Sequence, residues 1–178
     1  MNARPRRIAA IGGGGFLIDE ESLRPERWLL SRTGTDRPSV RFLGTAGGDA
    51  ERGQLKFHRA FSRLDCRLDC LPFFPTDMKR DYRQAVLGAD LVYVGGGVRP
   101  GLGWLPGTFC PYLDSAAWRQ PVLAAQAAAA VGAGEGVVVL YDDGAWAEAE
   151  RSASGTPMLR RVDAEGSAPL ALEPRALV

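Results

Sequence analysis

The sequence predicts an α/β protein built on a doubly wound, mostly parallel sheet, with a small β-rich appendage near its C-terminal end. Three observations carry that prediction. Short apolar runs alternate with stretches of helical spacing through the first half of the chain, the pattern of strand, helix and strand in an open sheet. Several of those runs end in glycines, as strands do at the carboxyl edge where α/β proteins bind ligands. Beyond Gly136 the pattern changes to β-branched runs separated by turn signals.

Taken in order, Arg7-Ile-Ala-Ala-Ile11 is a first buried strand, feeding the Gly12–Gly15 turn. A dinucleotide fingerprint needs glycines at 12, 14 and 17, and position 17 is leucine, so dinucleotide binding has weak support. Glu20–Thr33 places Leu23, Trp28, Leu29 and Leu30 on a helical face, and Gly34 and Pro38 end it. Ser39-Val-Arg-Phe-Leu-Gly44 is the second strand. Asp49 is then placed to cap a helix running to about Leu64, with Leu55, Phe57, Ala60, Phe61 and Leu64 as its apolar set. Cys66–Phe74 is a third strand. Asp77 or Asp81 starts a short helix over Tyr82–Leu87, with Gly88 as its stop, and Leu91–Val94 is the fourth strand.

The second half opens differently. Asp90-Leu-Val-Tyr-Val-Gly-Gly-Gly97 runs straight into the turn-rich Val98–Gly107, where an open parallel sheet should supply a crossover helix. Thr108–Asp114 is a short extended piece. The Ala-rich Ser115–Val131 reads as a helix broken by Gly132–Gly136. Val137–Tyr141 is the clearest β run, Asp142-Asp-Gly144 is a hairpin signal, and Ala145–Arg151 and Met158–Val162 are further strands. No internal repeat or linker divides the chain. A single domain over 1–178 is expected, with an N-terminal α/β half at 7–97 and a C-terminal part at 98–178.

A formal net charge of +1 gives no general field for nucleic acid or membrane. No apolar run approaches the roughly 20 residues of a spanning helix. Met1–Arg7 is basic, but no signal-like apolar region follows it, so a cytoplasmic location is expected. The three cysteines, Cys66, Cys70 and Cys110, do not have the spacing of a zinc knuckle, and no metal or cofactor is expected. Cys66 and Cys70 read as small core residues. The one histidine, His58, lies among Lys56 and Arg59 on the second predicted helix and reads as a surface or half-buried residue.

Several segments together resemble peptidase family S51, the dipeptidase E group. They are Ile11-Gly-Gly-Gly-Gly-Phe16, Pro38–Asp49, Phe57–Cys66, Leu91–Gly97, Gly101-Leu-Gly-Trp-Leu-Pro-Gly-Thr-Phe-Cys-Pro111 and Asp142-Asp-Gly-Ala145. The resemblance implies the layered fold of class I glutamine amidotransferases, which is flavodoxin-like. It also implies serine hydrolases that cut short peptides after an N-terminal aspartate. In that family the nucleophile sits in a Gly-x-Ser-Ala-Gly elbow, which exposes the hydroxyl and offers backbone N–H groups to the oxyanion.

Against that family the chain departs in two places. The elbow belongs between the glycine triplet and the Gly101 segment, where only Val98-Arg99-Pro100 stands; no Gly-x-Ser-x-Gly occurs anywhere. One helix–strand unit is therefore missing from the expected sheet. The family's catalytic histidine lies in a Cys-Pro-His-Tyr-Asp context, and here the sequence is Cys110-Pro-Tyr-Leu-Asp114, with Tyr112 at the histidine position. No catalytic residue can then be assigned from the matched positions, because a serine without a base is a poor nucleophile. Gly95, Gly96 and Gly97 either keep an oxyanion or anion cradle or are a turn retained by descent. Cys110 lacks a histidine partner. Ser115 reads as a helix cap, and Asp142-Asp143-Gly144 as a turn that resembles an acidic family motif.

Three functions follow from these departures. One is a non-catalytic homologue binding a small peptide ligand or a partner subunit. A second is a working hydrolase with rebuilt chemistry. The third is a deletion product with no selected function. A sheet short of one strand also leaves edges that pair with another chain, so a homodimer is expected.

Overall fold

The computed structural model describes residues 6–18, 21–74, 80–95, 108–119, 121, 130–151, 159–163, 166–169 and 175–176. The described chain forms two compact units, one of Phe16–Pro100 and one of Met1–Gly15 with Gly101–Val178.

In the Phe16–Pro100 unit, strand β2 (Ser39–Leu43) lies between β3 (Arg67–Cys70) and β4 (Leu91–Val94), and both neighbours run parallel to it. Parallel neighbours need crossovers. Helix α2 (Glu51–Phe61) connects β2 to β3, and α3 (Tyr82–Leu87) connects β3 to β4. Helix α1 (Arg24–Ser31) precedes them, with Pro25 in its first turn, where a missing N–H costs nothing. Of the two expected starts of α3, Asp81 caps it, with Gln84 N donating to Asp81 Oδ1 at 2.8 Å, while Asp77 lies outside the described residues. Ser39 N and Oγ each donate to Asp90 Oδ2 at 2.8 Å, which ties the starts of β2 and β4 together.

Aromatic rings fill this unit's core. Phe42 stacks on Phe57 at 5.1 Å, and Phe16 meets Phe42, Phe57, Phe61 and Tyr93 edge-on. Phe16, Phe57 and Phe61 are fully buried. Truncating such a ring to alanine typically costs about 3–5 kcal/mol, so this cluster is a principal source of the unit's stability.

Asp49 does not cap α2. Ala50 holds the cap position without a side-chain bond. The Asp49 backbone turns left-handed, with φ 53°, and its buried carboxylate accepts from Phe73 N at 2.6 Å and Phe74 N at 3.0 Å. Those are N–H groups just beyond β3, past the reach of the ladder, and a buried acceptor takes them in preference to helix-end donors open to water.

In the other unit, β1 (Arg7–Ile11) departs from the expected parallel sheet. It pairs antiparallel with β7 (Val137–Asp142), Arg7 opposite Asp142 and Ile11 opposite Val138. An apolar run suits either direction of pairing. Here β7, buried along almost its whole length, supplies the partner, and ion pairs of Arg7 with Asp142 and Arg6 with Asp143 mark the register. The sheet continues through β8 (Ala145–Arg151) to β11 (Arg175–Ala176), in the order β1-β7-β8-β11. Asp143 and Gly144 join β7 to β8 with φ of 50° and 84°, the paired positive values of a two-residue type I′ hairpin.

A second sheet has the order β10-β9-β6-β5, from β5 (Thr108–Cys110), β6 (Ala130–Ala133), β9 (Leu159–Asp163) and β10 (Gly166–Pro169). The expected helix over Ser115–Val131 is thus overturned at its end. Ala130 and Val131 are strand, paired with Phe109's strand on one side and with β9 on the other. Alanine favours a helix in isolation, but two ladders outweigh that preference. Residues 122–129 lie outside the described residues. Ala133, Val137, Val139, Tyr141, Ala149 and Leu159 form the buried core, with Ile8, Ala10, Phe109 and Val131 packed against it. The architecture is therefore mixed α/β, with parallel and antiparallel sheets and few helices, rather than one doubly wound sheet. Among the described residues, no helix is long and apolar enough to cross a membrane.

Candidate active site

The glycine triplet begins where β4 ends. Gly95 N donates to Leu43 O at 2.8 Å and extends the β2–β4 ladder by one residue. A Cβ there would stand 3.3 Å from Leu43 O and from the Phe42 ring, so close backbone approach favours glycine at this place. With its N–H engaged by Leu43, Gly95 does not offer a donor to an anion. Gly96 and Gly97 lie outside the described residues, as do 98–107.

Tyr112 sits in the unit that contains β1. Its φ of 55° is left-handed, a conformation that costs a non-glycine residue roughly 1–2 kcal/mol. Its surroundings hold it there. Tyr112 N donates to Gly12 O, and Tyr112 O accepts from Ser115 N at 3.0 Å and Ser115 Oγ at 2.9 Å. The phenol ring covers Gly13, where an added Cβ would come within 2.2 Å of it. The Arg119 guanidinium lies 5.9 Å from the centre of that ring and 5.2 Å from the Trp118 ring, and its Nη1 donates to Pro111 O at 3.1 Å. A phenol in this position can donate or accept a hydrogen bond. It lacks the basic ring nitrogen with which an imidazole takes a proton from a nucleophile.

The other sequence candidates are held in local contacts. Ser115 does not cap a helix; its hydroxyl closes the turn on Tyr112 O. The Asp114 carboxylate accepts from Glu135 N at 3.1 Å and lies over Gly134. Cys110 Sγ is 3.5 Å from Pro111 O, a weak sulfur contact. Asp142-Asp143-Gly144 forms the hairpin turn, with Arg6 N donating to Asp143 Oδ1 at 3.0 Å. The hydroxyls of Ser31, Ser39 and Ser62 donate to Trp28 O, Asp90 Oδ2 and Arg59 O. A groove of about 330 Å³ lined by Arg27, Leu30, Pro38, Arg63 and Leu64 contains none of the candidate residues.

One pairing escaped the sequence. His58 Nε2, on α2, lies 3.5 Å from Cys70 Sγ, on β3. Burial, reinforced by the Asp69 carboxylate and opposed by Arg80, pushes the Cys70 thiol up to about 11. The thiol therefore keeps its proton at neutral pH, in contact with the imidazole. Cys66 is buried as expected, and burial and Asp65 raise its thiol also. The His58–Cys70 contact follows from the register of β3, which no local sequence cue gives. Cys70 stands opposite Phe42, whose ring stacks on Phe57, so it faces the helix that carries His58.

The fold is that of a mixed α/β protein with parallel and antiparallel sheets and few helices among the described residues. The model of peptidase family S51 matches residues 8–102, and the chain belongs to that family. It is 35% identical over 92 residues to YgaJ of Bacillus subtilis strain 168, an uncharacterized peptidase. That match covers 52% of this chain and 40% of the relative, so the chain spans about two fifths of that relative's length. A crystal structure of a peptidase from an acI-B1 Actinobacterium superposes with a TM-score of 0.52, over 93% of this chain and 97% of that one. Its sequence identity is 11%, so the likeness is one of fold.

Proposed function

We propose that this chain is a non-catalytic member of the dipeptidase E group that binds a short peptide, of the Asp-X class that the family resemblance implies, without cutting it. The observation that carries this reading is the setting of Tyr112. At the position that the family resemblance gives to the histidine, a phenol ring is packed on Gly13 and covered by Arg119. The sequence supports the same reading, since nothing between Gly97 and Gly101 can form a serine elbow. His58, the only histidine, is engaged by Cys70 in the Phe16–Pro100 unit.

The reading includes self-association. Strand β4 borders its sheet among the described residues, and Val94 at its end is 40% exposed. An apolar edge of this kind pairs readily with a second copy.

Equilibrium dialysis against an Asp-X dipeptide, followed by chromatography of the recovered peptide, tests the proposal. Retention of intact dipeptide is expected. Recovery of free aspartate overturns the reading in favour of a rebuilt hydrolase. Absence of retention removes the ligand-binding part of it.

A further inference from the structure

We propose that Cys70 Sγ and His58 Nε2 form a binding site for a soft divalent cation of the zinc class. The pair belongs to the Phe16–Pro100 unit, and the proposal stands independently of the function proposed above. The geometry comes first. Zinc bonds thiolate sulfur at about 2.3 Å and imidazole nitrogen at about 2.0–2.1 Å, and a tetrahedral angle then sets sulfur and nitrogen roughly 3.5 Å apart. The observed separation is 3.5 Å. The two donors stand at the spacing of two vertices of a zinc tetrahedron.

The pair is also held in place and reachable. His58 is on the exposed side of α2, while Cys70 is partly buried at the end of β3. Arg80 Nη1 donates to Cys70 O at 3.1 Å, and the Asp69 carboxylate is taken by Arg41 and Arg80. The strand end is thereby fixed, and Asp69 is committed to those arginines. The cation is coordinated by this thiolate, this imidazole and water. His58 is exposed, so the site opens to solvent; among the described residues no group of three or more such side chains gathers.

The chemistry balances simply. A divalent cation supplies a counter-charge to the thiolate, so the thiol proton leaves to solvent as the metal–sulfur bond forms. Imidazole binds through Nε2 in its neutral form, the nitrogen that faces the Cys70 sulfur.

Titration of the full chain with Co²⁺ tests the site, because a cobalt–thiolate bond gives a charge-transfer absorption that imidazole or carboxylate ligation does not. The intact protein is expected to develop that band, to release a proton on binding, and to lose the band when Zn²⁺ is added. Cys70→Ser and His58→Ala should each abolish it, while Cys66→Ser and Cys110→Ser should keep it. His58 is exposed, so His58→Ala is expected to fold; circular dichroism confirms this for each variant. No thiolate band in the intact protein at millimolar cobalt overturns the proposal, as does a band that survives in folded Cys70→Ser or His58→Ala.

Discussion

The Tyr112 ring occupies the space that a side chain on Gly13 would need: a Cβ built there falls 2.2 Å from the ring. Gly13 itself has a φ of 141°, which a residue with a side chain rarely adopts. The pair is one packed unit, joined by the bond from Tyr112 N to Gly12 O. Gly13→Ala should therefore destabilise the protein by about 1–3 kcal/mol, from overpacking and backbone strain together. Adding Tyr112→Ala should restore the packing share and leave the backbone share. Urea unfolding of the two single variants and the double variant measures the coupling; strict additivity would show that the ring does not press on Gly13.

A second prediction concerns Asp49. Its carboxylate accepts from two backbone N–H groups beyond β3 and is buried. Hydrogen bonds to a charged group are worth about 1.5–3 kcal/mol, and leaving buried donors without a partner adds to the loss. Asp49→Ala should lower stability by at least about 2 kcal/mol, and hydrogen exchange at Phe73 and Phe74 should accelerate. An exposed helix cap, by contrast, would cost only about 1 kcal/mol and leave those two amides unchanged.

Alkaline stability gives a third. Burial pushes the Tyr141 phenol up to about 12 from its ordinary 10, and Cys70 stands at about 11 against an ordinary 9. Both groups ionise more easily in the unfolded chain. Their contribution is thus fully present below pH 9 for Cys70 and below pH 10 for Tyr141. It falls as pH rises towards about 11 and about 12 respectively. Urea midpoints measured from pH 8 to pH 12 should decline across that window. Tyr141→Phe should flatten the part above pH 10, and Cys70→Ser the part that begins near pH 9. An unchanged slope in either variant contradicts the assignment.

Much of the Phe16–Pro100 unit was legible in the sequence because its cues are local. The apolar spacing of α2, the Asp81 cap, and the β2 and β4 runs each depend on a few neighbouring residues. The Asp143–Gly144 hairpin was legible for the same reason, since two positive φ values within a short loop demand such residues. What escaped depends on distant partners. The Arg7–Ile11 run does not encode that Val137–Asp142 will meet it from the opposite direction. Ala130 and Val131 carry helix-like composition, and only flanking strands make them β. Asp49 looks like a cap until the amides of Phe73 and Phe74 compete for it. At the candidate site, Tyr112 could be singled out from its Cys110-Pro context. Its packing on Gly13, and the meeting of His58 with Cys70, could not.

Restoration supplies a fourth prediction. The family's missing helix, strand and serine elbow can be spliced between Gly97 and Val98, with or without Tyr112→His. General-base assistance is typically worth about 10²–10⁴-fold, so hydrolysis of an Asp-X dipeptide should require both changes. The four combinations are compared by release of free aspartate. Full activity from the splice alone would show that Tyr112 does not stand in the histidine's place.

The central claim is that the natural chain has no activated serine. A phosphonylating reagent that labels serine hydrolases tests it most directly, because such reagents react with a hydroxyl primed by a neighbouring base and not with an ordinary one. Intact-mass analysis after prolonged exposure should show the unmodified chain, with the same result for Tyr112→Phe. A single stoichiometric adduct, mapped to one serine and lost on its replacement by alanine, would contradict the account.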